Sequence, residues 1–459
     1  MPQYLSPGVY VEEIPSAVQA IAGVGTSTAG FIGIVPASFM VPGPNAYYNP
    51  SLDQDKDIDV VASAPRLVGV TLADGTMVTD RAAADAIMDT LKAANKTKVT
   101  IKNTSFVQYT VTPTAEVGEV KLCTNFTEFK SAFGDFSTDA GQRLLAHAVY
   151  GFFHNGGTRC YVARAAQEAE IPDILSKFGA VDEIALVAVP GITTASVRSA
   201  VVAHCAIDTQ DRFAILDSDL DLPKDDLTLL DPSNAKNVLP DNSDYAAFYF
   251  PWIQVFDPAT KLQDPKSDGL LFVPPSGHIA GVYARTDTTR GVHKAPANAP
   301  VVGALGVRYQ ISKAQQDGLN PQGVNCIRDL NGNIRVWGAR TIGGNANGEW
   351  RYINVRRTFL FLRESIDEGM QWAVFEPNDQ NLWAKIKLNI TAFLTTVWRS
   401  GALFGSTPEE AFYVKCDAET NPPELRELGQ VVTEIGVAVV RPAEFVIFRI
   451  SQWQPPQGS

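Results

Sequence analysis

Apolar residues fall into two alternating patterns between about 121 and 300. Short apolar runs bounded by turn residues (CYVARA, EIALVAVPG, DRFAILD) alternate with segments of helical character (FTEFKSAFG, AGQRLLAHAVYGFFHNGG, SVRSAVVAHCA). Strands apolar at consecutive positions are buried on both faces, so the alternation predicts a mainly parallel sheet covered by helices. Gly156-Gly157 supplies the stop for the second of those helices. Residues 217–245 are acidic and turn-rich and read as a loop excursion from this α/β middle domain.

The last third is more regular. Asn331-Gly332 stands between β-prone segments, the signature of a two-residue hairpin loop. Residues 379–400 are expected to be helical. At 100° per residue, Leu382, Trp383, Ile386, Ile390, Phe393 and Val397 gather on one side. Lys385, Asn389, Thr395, Thr396 and Arg399 take the other. The chain closes with VVTEIGVAVV, a break at Arg441-Pro442, and EFVIFRISQW. Phe445 and Ile447 would lie on one face of that last strand, with Val446, Phe448 and Ile450 on the other. A strand apolar on both faces is either central in its own sheet or inserted into a neighbour's.

The opposite end reads similarly. After Pro7-Gly8, Val9 to Ile14 is a short β-prone run, and residues 1–35 as a whole read as an arm. Its backbone hydrogen bonds must be completed elsewhere. Residues 36–120 change character, with the loop PASFMVPGPNAYYNP, the acidic run DQDKDID, and two hairpin-like stretches around VTIKNTSFVQYTVT. They read as an inserted, partly β module.

Composition narrows the function. A chain of 459 residues with 45% hydrophobic content has room for two or three packed domains. Charged residues make up 19%, which is low for a soluble domain and suits surface destined for other subunits. The net charge of −12 argues against coating nucleic acid, which needs a basic footprint. The N-terminus has no secretory pattern, and no run approaches the ~20 apolar residues of a membrane span. Cys123, Cys160, Cys205, Cys326 and Cys416 are scattered without CxxC spacing. They suit reduced thiols in a cytoplasm better than a disulfide framework or a zinc site.

Chemistry-bearing residues lack the spacing that chemistry needs. Gly23, Gly25 and Gly30 match neither phosphate-loop pattern, and no Lys follows them. Ser276, His278 and Asp287 are the types used in nucleophilic hydrolysis, but no GxSxG elbow accompanies them. Asp53, Asp55, Asp57 and Asp59 repeat at alternate positions, but Ile58 and Ser63 stand where an EF-hand needs Gly and Glu. That run, and Asp217, Asp219 and Asp221, read as exposed acidic loops. His147, His154, His204 and His293 read as isolated and structural. Trp337, Trp350, Trp372, Trp383, Trp398 and Trp453 suit core packing and inter-subunit contact. No catalytic, cofactor or metal residue is expected, and the chain does not read as an enzyme.

Long ordered strings carry a resemblance. The start, SPGVYVEEIPSAVQAIAGVGTSTAGFIG, resembles the N-terminal signature of contractile tail sheath proteins. YFPWIQVFDP and VPPSGHIAGVYARTDTTRGVHKAPANAPV are similar to that family's middle segment. IRVWGARTI, EWRYINVRRTFLFLRESIDEGMQWAVFEPND, LWAKIKLNITAFLTTVWRSGALFG and AEFVIFRISQW are similar to its C-terminal part. The resemblance implies an α/β fold with a sheath-type core, extended N- and C-terminal β arms, and an inserted, partly β outer domain. It divides the chain into an N-terminal arm (1–35), an inserted outer-surface domain (36–120), an α/β middle domain (121–300), an inner sheath core (301–440) and a C-terminal arm strand (441–459).

The same resemblance implies a homopolymer, stacked as hexameric rings around an inner tube protein and joined to baseplate and terminator or cap proteins. It implies contraction that drives the tube through a target envelope, with no bound nucleic acid and no membrane insertion. The subunit would be made in a bacterial cytoplasm and end in a phage virion or an extracellular contractile particle. Val9, Tyr10 and Val11 are the expected N-terminal donated strand, and Phe445, Val446, Ile447 and Phe448 the C-terminal one. Lys385, Lys387 and Arg399 are candidates for contact with the tube, because 340–400 carries eight basic and six acidic residues in an acidic protein. The alternative is a single-ring terminator or baseplate component with a sheath-like core.

Overall fold

The computed structural model describes residues 20–52, 54–59, 67–222 and 226–449. These described residues form two compact units: Gly25–Leu360 with residues 441–449, and residues 20–24 with Phe361–Val440.

The larger unit is built on a nine-stranded sheet. Its spatial order is Ala299–Pro300, Asn333–Val336, Val324–Leu330, Ala246–Phe250, Phe213–Asp217, Leu186–Ala188, Ala29–Ile34, Cys160–Ala165 and Lys121–Cys123. From Val324–Leu330 to Cys160–Ala165 every pairing is parallel; the pairings at both margins are antiparallel. Alternate residues feed opposite cores, which is why the runs are apolar at consecutive positions. Phe213 and Ile215 join one cluster, with Leu145, Val149 and Phe152 of helix Ala140–His154. Ala214 and Leu216 join the other, with Ile171, Leu175 and Phe178 of helix Ile171–Gly179.

Ala29–Ile34 departs from the arm reading. It is a central strand, hydrogen-bonded on both sides, with Phe31 in one cluster and Ile32 in the other. Its partners lie more than 100 residues away, beyond anything a local pattern reports. Gly30 there is a packing residue, because a Cβ would stand 2.6 Å from the Phe178 ring.

Helix Ser276–Arg290 crosses helix Ala140–His154 at backbone contact. A Cβ on Gly277 would meet the Ala148 Cα at 2.4 Å, and one on Gly281 the Phe152 carbonyl at 2.4 Å. The Asn331-Gly332 hairpin forms as expected, joining Val324–Leu330 to Asn333–Val336 with φ of 57° and 81°. Positive φ at both positions is what the tight two-residue turn demands.

Residues 36–120 pair differently from the two hairpin-like stretches expected. Lys98–Ile101 pairs with Lys56–Asp59, and Phe106–Val111 with Phe39–Pro44. Helix Arg81–Ala93 lies between these strands in sequence, capped by the Asp80 carboxylate accepting from Ala83 N–H at 2.8 Å. A separate cluster of Ile58, Leu67, Val70, Val78, Ala84, Met88, Ile101 and Val107 forms its core.

In the smaller unit, helix Gln380–Arg399 starts at Asp379, whose side chain accepts from Leu382 N–H at 2.9 Å. All six residues assigned to its apolar side are buried. Asn389 is buried too, contrary to its assignment to the polar side. It lies three residues after Ile386 and four before Phe393, one turn from each along the buried stripe. Strands Phe412–Lys415 and Glu434–Val437 form an antiparallel pair beside this helix. Residues 20–24 follow helix Ile353–Met370, and Val24 N–H donates to Ser365 Oγ at 3.1 Å.

Candidate assembly surfaces

The residue types of a hydrolase are present but not brought together. Ser276 Oγ donates to Asp217 Oδ2 at 2.6 Å, and Asp287 pairs with Arg357 at 2.6 Å. His278 is buried, and burial pushes its pKa down to about 3. All five cysteines are buried. Two readings of the charged residues are corrected. His147 is not isolated: its Nε2 lies 3.1 Å from Asp257 Oδ1, with both side chains buried. Asp217 is not in an exposed loop: it ends the buried strand Phe213–Asp217 and also accepts from Ser276 N–H at 2.8 Å and Gly191 N–H at 3.1 Å. Asp219 and Asp221 beyond it pair with Arg198 and Arg308.

Burial pushes the Asp217 carboxyl up to about 6, against the lowering effect of those hydrogen bonds. Between its ordinary value and 6, the folded chain holds a proton that the unfolded chain releases, so stability falls as pH rises through that window. Asp217→Asn removes the dependence. Relative to the parent, the variant should gain about 2–3 kcal/mol between pH 4 and pH 7. Denaturant titrations at the two pH values measure it, and an offset that does not change with pH would show that the carboxyl ionises normally.

The features that set this chain apart lie on its surface. Phe445, Val446, Ile447 and Phe448 are 69–82% exposed, and residues 441–449 pair with no strand among the described residues. Val9, Tyr10 and Val11 lie outside the described residues. Lys385, Lys387 and Arg399 are all exposed on helix Gln380–Arg399, with Leu388 at 45% among them. The smaller unit also exposes Phe375, Phe404 and Leu428.

One part of this surface is absent from the sequence reading. Glu444, just before the exposed quartet, is held by four donors. Arg340 Nε and Nη2 each reach it at 2.8 Å, Asn320 Nδ2 at 2.7 Å and Tyr352 Oη at 2.9 Å. Arg340 is buried and itself fixed by the Asn320 carbonyl at 3.1 Å and Asn345 Oδ1 at 3.0 Å. Burial raises the Glu444 pKa, but the hydrogen bonds from Arg340, Asn320 and Tyr352 outweigh it, and the carboxyl titrates below its usual range. Arg340 and Glu444 are 104 positions apart, and no spacing pattern marks them.

Four large apolar side chains held in water, on a segment tied down at its base, are the kind of surface that marks an interaction site. Comparison with known proteins says which kind. A family model described as the phage tail sheath protein central domain matches residues 165–342, and one described as the phage tail sheath C-terminal domain matches 345–452. Together they span more than half of the chain, which belongs to the phage tail sheath family.

The chain is 29% identical over 226 residues to the tail sheath protein of Vibrio phage KVP40, a match covering 48% of this chain and 31% of that one. Among solved structures it is similar to a chain of the anti-feeding prophage baseplate, with 26% identity and a TM-score of 0.62 over 98% of this chain and 100% of that one. It is also similar to a chain of the anti-feeding prophage helical sheath in the contracted state, with 25% identity and a TM-score of 0.63 over 98% and 99%. No helix among the described residues is long and apolar enough to cross a membrane.

Proposed function

We propose that this chain is the sheath subunit of a contractile tail-like particle. It polymerises with copies of itself as stacked six-membered rings around an inner tube, meets baseplate and terminator proteins at its ends, and contracts to drive the tube through an envelope. The observation that carries this reading is the exposed quartet Phe445–Phe448 on a segment that pairs with no strand among the described residues. Burying each of these side chains contributes about 1.5–3 kcal/mol, and adding the segment to a neighbour's sheet also satisfies its backbone. Val9, Tyr10 and Val11 would act in the same way at the other end. Head-to-tail contacts of this kind build open helices. Residues 36–120, with their own small core, would form the outward-facing module.

Electron microscopy of the purified protein, alone and with its co-expressed tube protein, tests the reading. Long hollow tubes are expected, and a stable monomer or dimer with the partner present would overturn it. The likeness to a baseplate chain favours a second reading, a single-ring component. Isolated rings that never extend would identify that case.

The exposed Lys385, Lys387 and Arg399 would face the tube. Lys385→Glu or Lys387→Glu should weaken sheath–tube co-sedimentation more than sheath–sheath association. The loss should resemble that produced by raising salt, because exposed charges act over only about 8–10 Å near physiological ionic strength. Co-sedimentation indifferent to both changes would rule out the tube-facing assignment.

A further inference from the structure

The C-terminal segment passes a fixed point before it reaches its exposed apolar residues. Strand Glu434–Val437 pairs with Phe412–Lys415, and residues up to 440 continue the contact through Phe404 N–H to the Ala438 carbonyl at 2.7 Å and Val440 N–H to the Ala402 carbonyl at 3.2 Å. Four residues later, Glu444 enters its socket of Arg340, Asn320 and Tyr352, all in the larger unit. Only after Glu444 do the four large exposed apolar side chains begin.

These two attachments resist tension differently. A strand peeled away from its partner at one end yields one backbone pair at a time, so each hydrogen bond then faces the load alone. A carboxylate gripped by four donors, two of them from a single buried guanidinium, must lose all four together. Arg340 cannot swing away with it, because the Asn320 carbonyl and Asn345 hold the guanidinium and Asn325 Oδ1 accepts from the Arg340 backbone N–H at 2.8 Å.

We propose that Glu444 is a strain relief for the donated segment: a pull on residues 445–448 by a neighbouring subunit ends at Arg340 and does not reach strand Glu434–Val437. This rests on the reading of residues 445–448 as a donated strand. It makes Glu444 and Arg340 positioning residues of the assembly, with Tyr352 and Asn320 completing the socket. A subunit linked to its neighbours in this way can be pulled by its terminal arm while the sheet in its smaller unit stays closed.

An optical trap tests it on the full chain at concentrations too low for polymerisation. Handles go on Lys313→Cys and Arg449→Cys, both exposed, while the five native cysteines are buried and stay unlabelled. In the parent the first opening should occur at high force. In Glu444→Ala an early step should appear at lower force, as the stretch from Glu434 to Glu444 is freed and lengthens by at most roughly 35 Å at about 3.5 Å per residue. Tyr352→Phe removes one donor of four and should fall between the two, which keeps the test informative if Glu444→Ala folds poorly. Identical first steps in all three chains would overturn the proposal. The variant with Phe445, Val446, Ile447 and Phe448 all changed to Ser serves as the control. It should lose polymerisation and keep the parent's trace. If it still polymerises, strand donation fails whatever the trap shows.

Discussion

Changing Phe445, Val446, Ile447 and Phe448 together to Ser should give a subunit as stable as the parent that forms no tubes. The first half follows from exposure. Side chains already 69–82% in water contribute little to their own fold, so the change in unfolding free energy should stay within about 0.5 kcal/mol. The second half follows from what the four residues would bury in a neighbour. At about 1.5–3 kcal/mol each, their loss removes enough to abolish a linkage that relies on one short segment per contact. Circular dichroism and denaturant titration read the fold, and sedimentation with electron microscopy reads the polymer. Tubes of normal length from this variant would mean that the C-terminal segment does not link subunits.

Asp287→Ala should be among the most damaging single changes in the larger unit. The Asp287 and Arg357 side chains are both buried and meet in a two-point contact of 2.9 and 2.6 Å. Thr26 is held by the same pair, its hydroxyl donating to Asp287 at 2.6 Å and its carbonyl accepting from Arg357 at 2.8 Å. The guanidinium also lies 4.7 Å from the Tyr283 ring, whose hydroxyl pairs with that of Tyr249 at 2.8 Å. Removing the carboxylate leaves a buried cation without its counter-charge and frees the approach to the central strand Ala29–Ile34. The cost of such a break is about 3–5 kcal/mol, which for a unit of this size lowers the melting temperature by on the order of 10 °C. Asp287→Leu combined with Arg357→Met should recover much of the loss, because no charge is then stranded. A cost below about 1 kcal/mol for Asp287→Ala, measured by denaturant titration, would show that water reaches Arg357 and screens it.

Where folding obeys local rules, the sequence by itself determined the outcome. Consecutive apolar positions in DRFAILD and CYVARA demand burial on both faces, and both are interior strands of a largely parallel sheet. Asn331-Gly332 tolerates the two positive φ angles of a tight turn, and the turn is there. The period of 380–399 sets its buried stripe, apart from Asn389, which is polar in type but placed by the same period. The ordered strings of the family were legible for the same reason, being contiguous.

Tertiary structure decided what depends on distant partners. Ala29–Ile34 looks like an arm because the strands that hold it begin at Cys160 and Leu186. The hairpins expected in 36–120 gave way to pairings with strands earlier in the chain, since a β-prone run does not name its partner. Asp217 looks exposed because acidic residues surround it in sequence, yet Ser276, 59 positions on, draws it into the interior. The socket of Glu444 is assembled from residues 92 to 124 positions away, so only folding brings its four donors to one carboxylate. Hydrophobic period and turn chemistry act over a few residues, whereas strand pairing and buried charge are settled by whichever distant groups the completed fold places within about 3 Å.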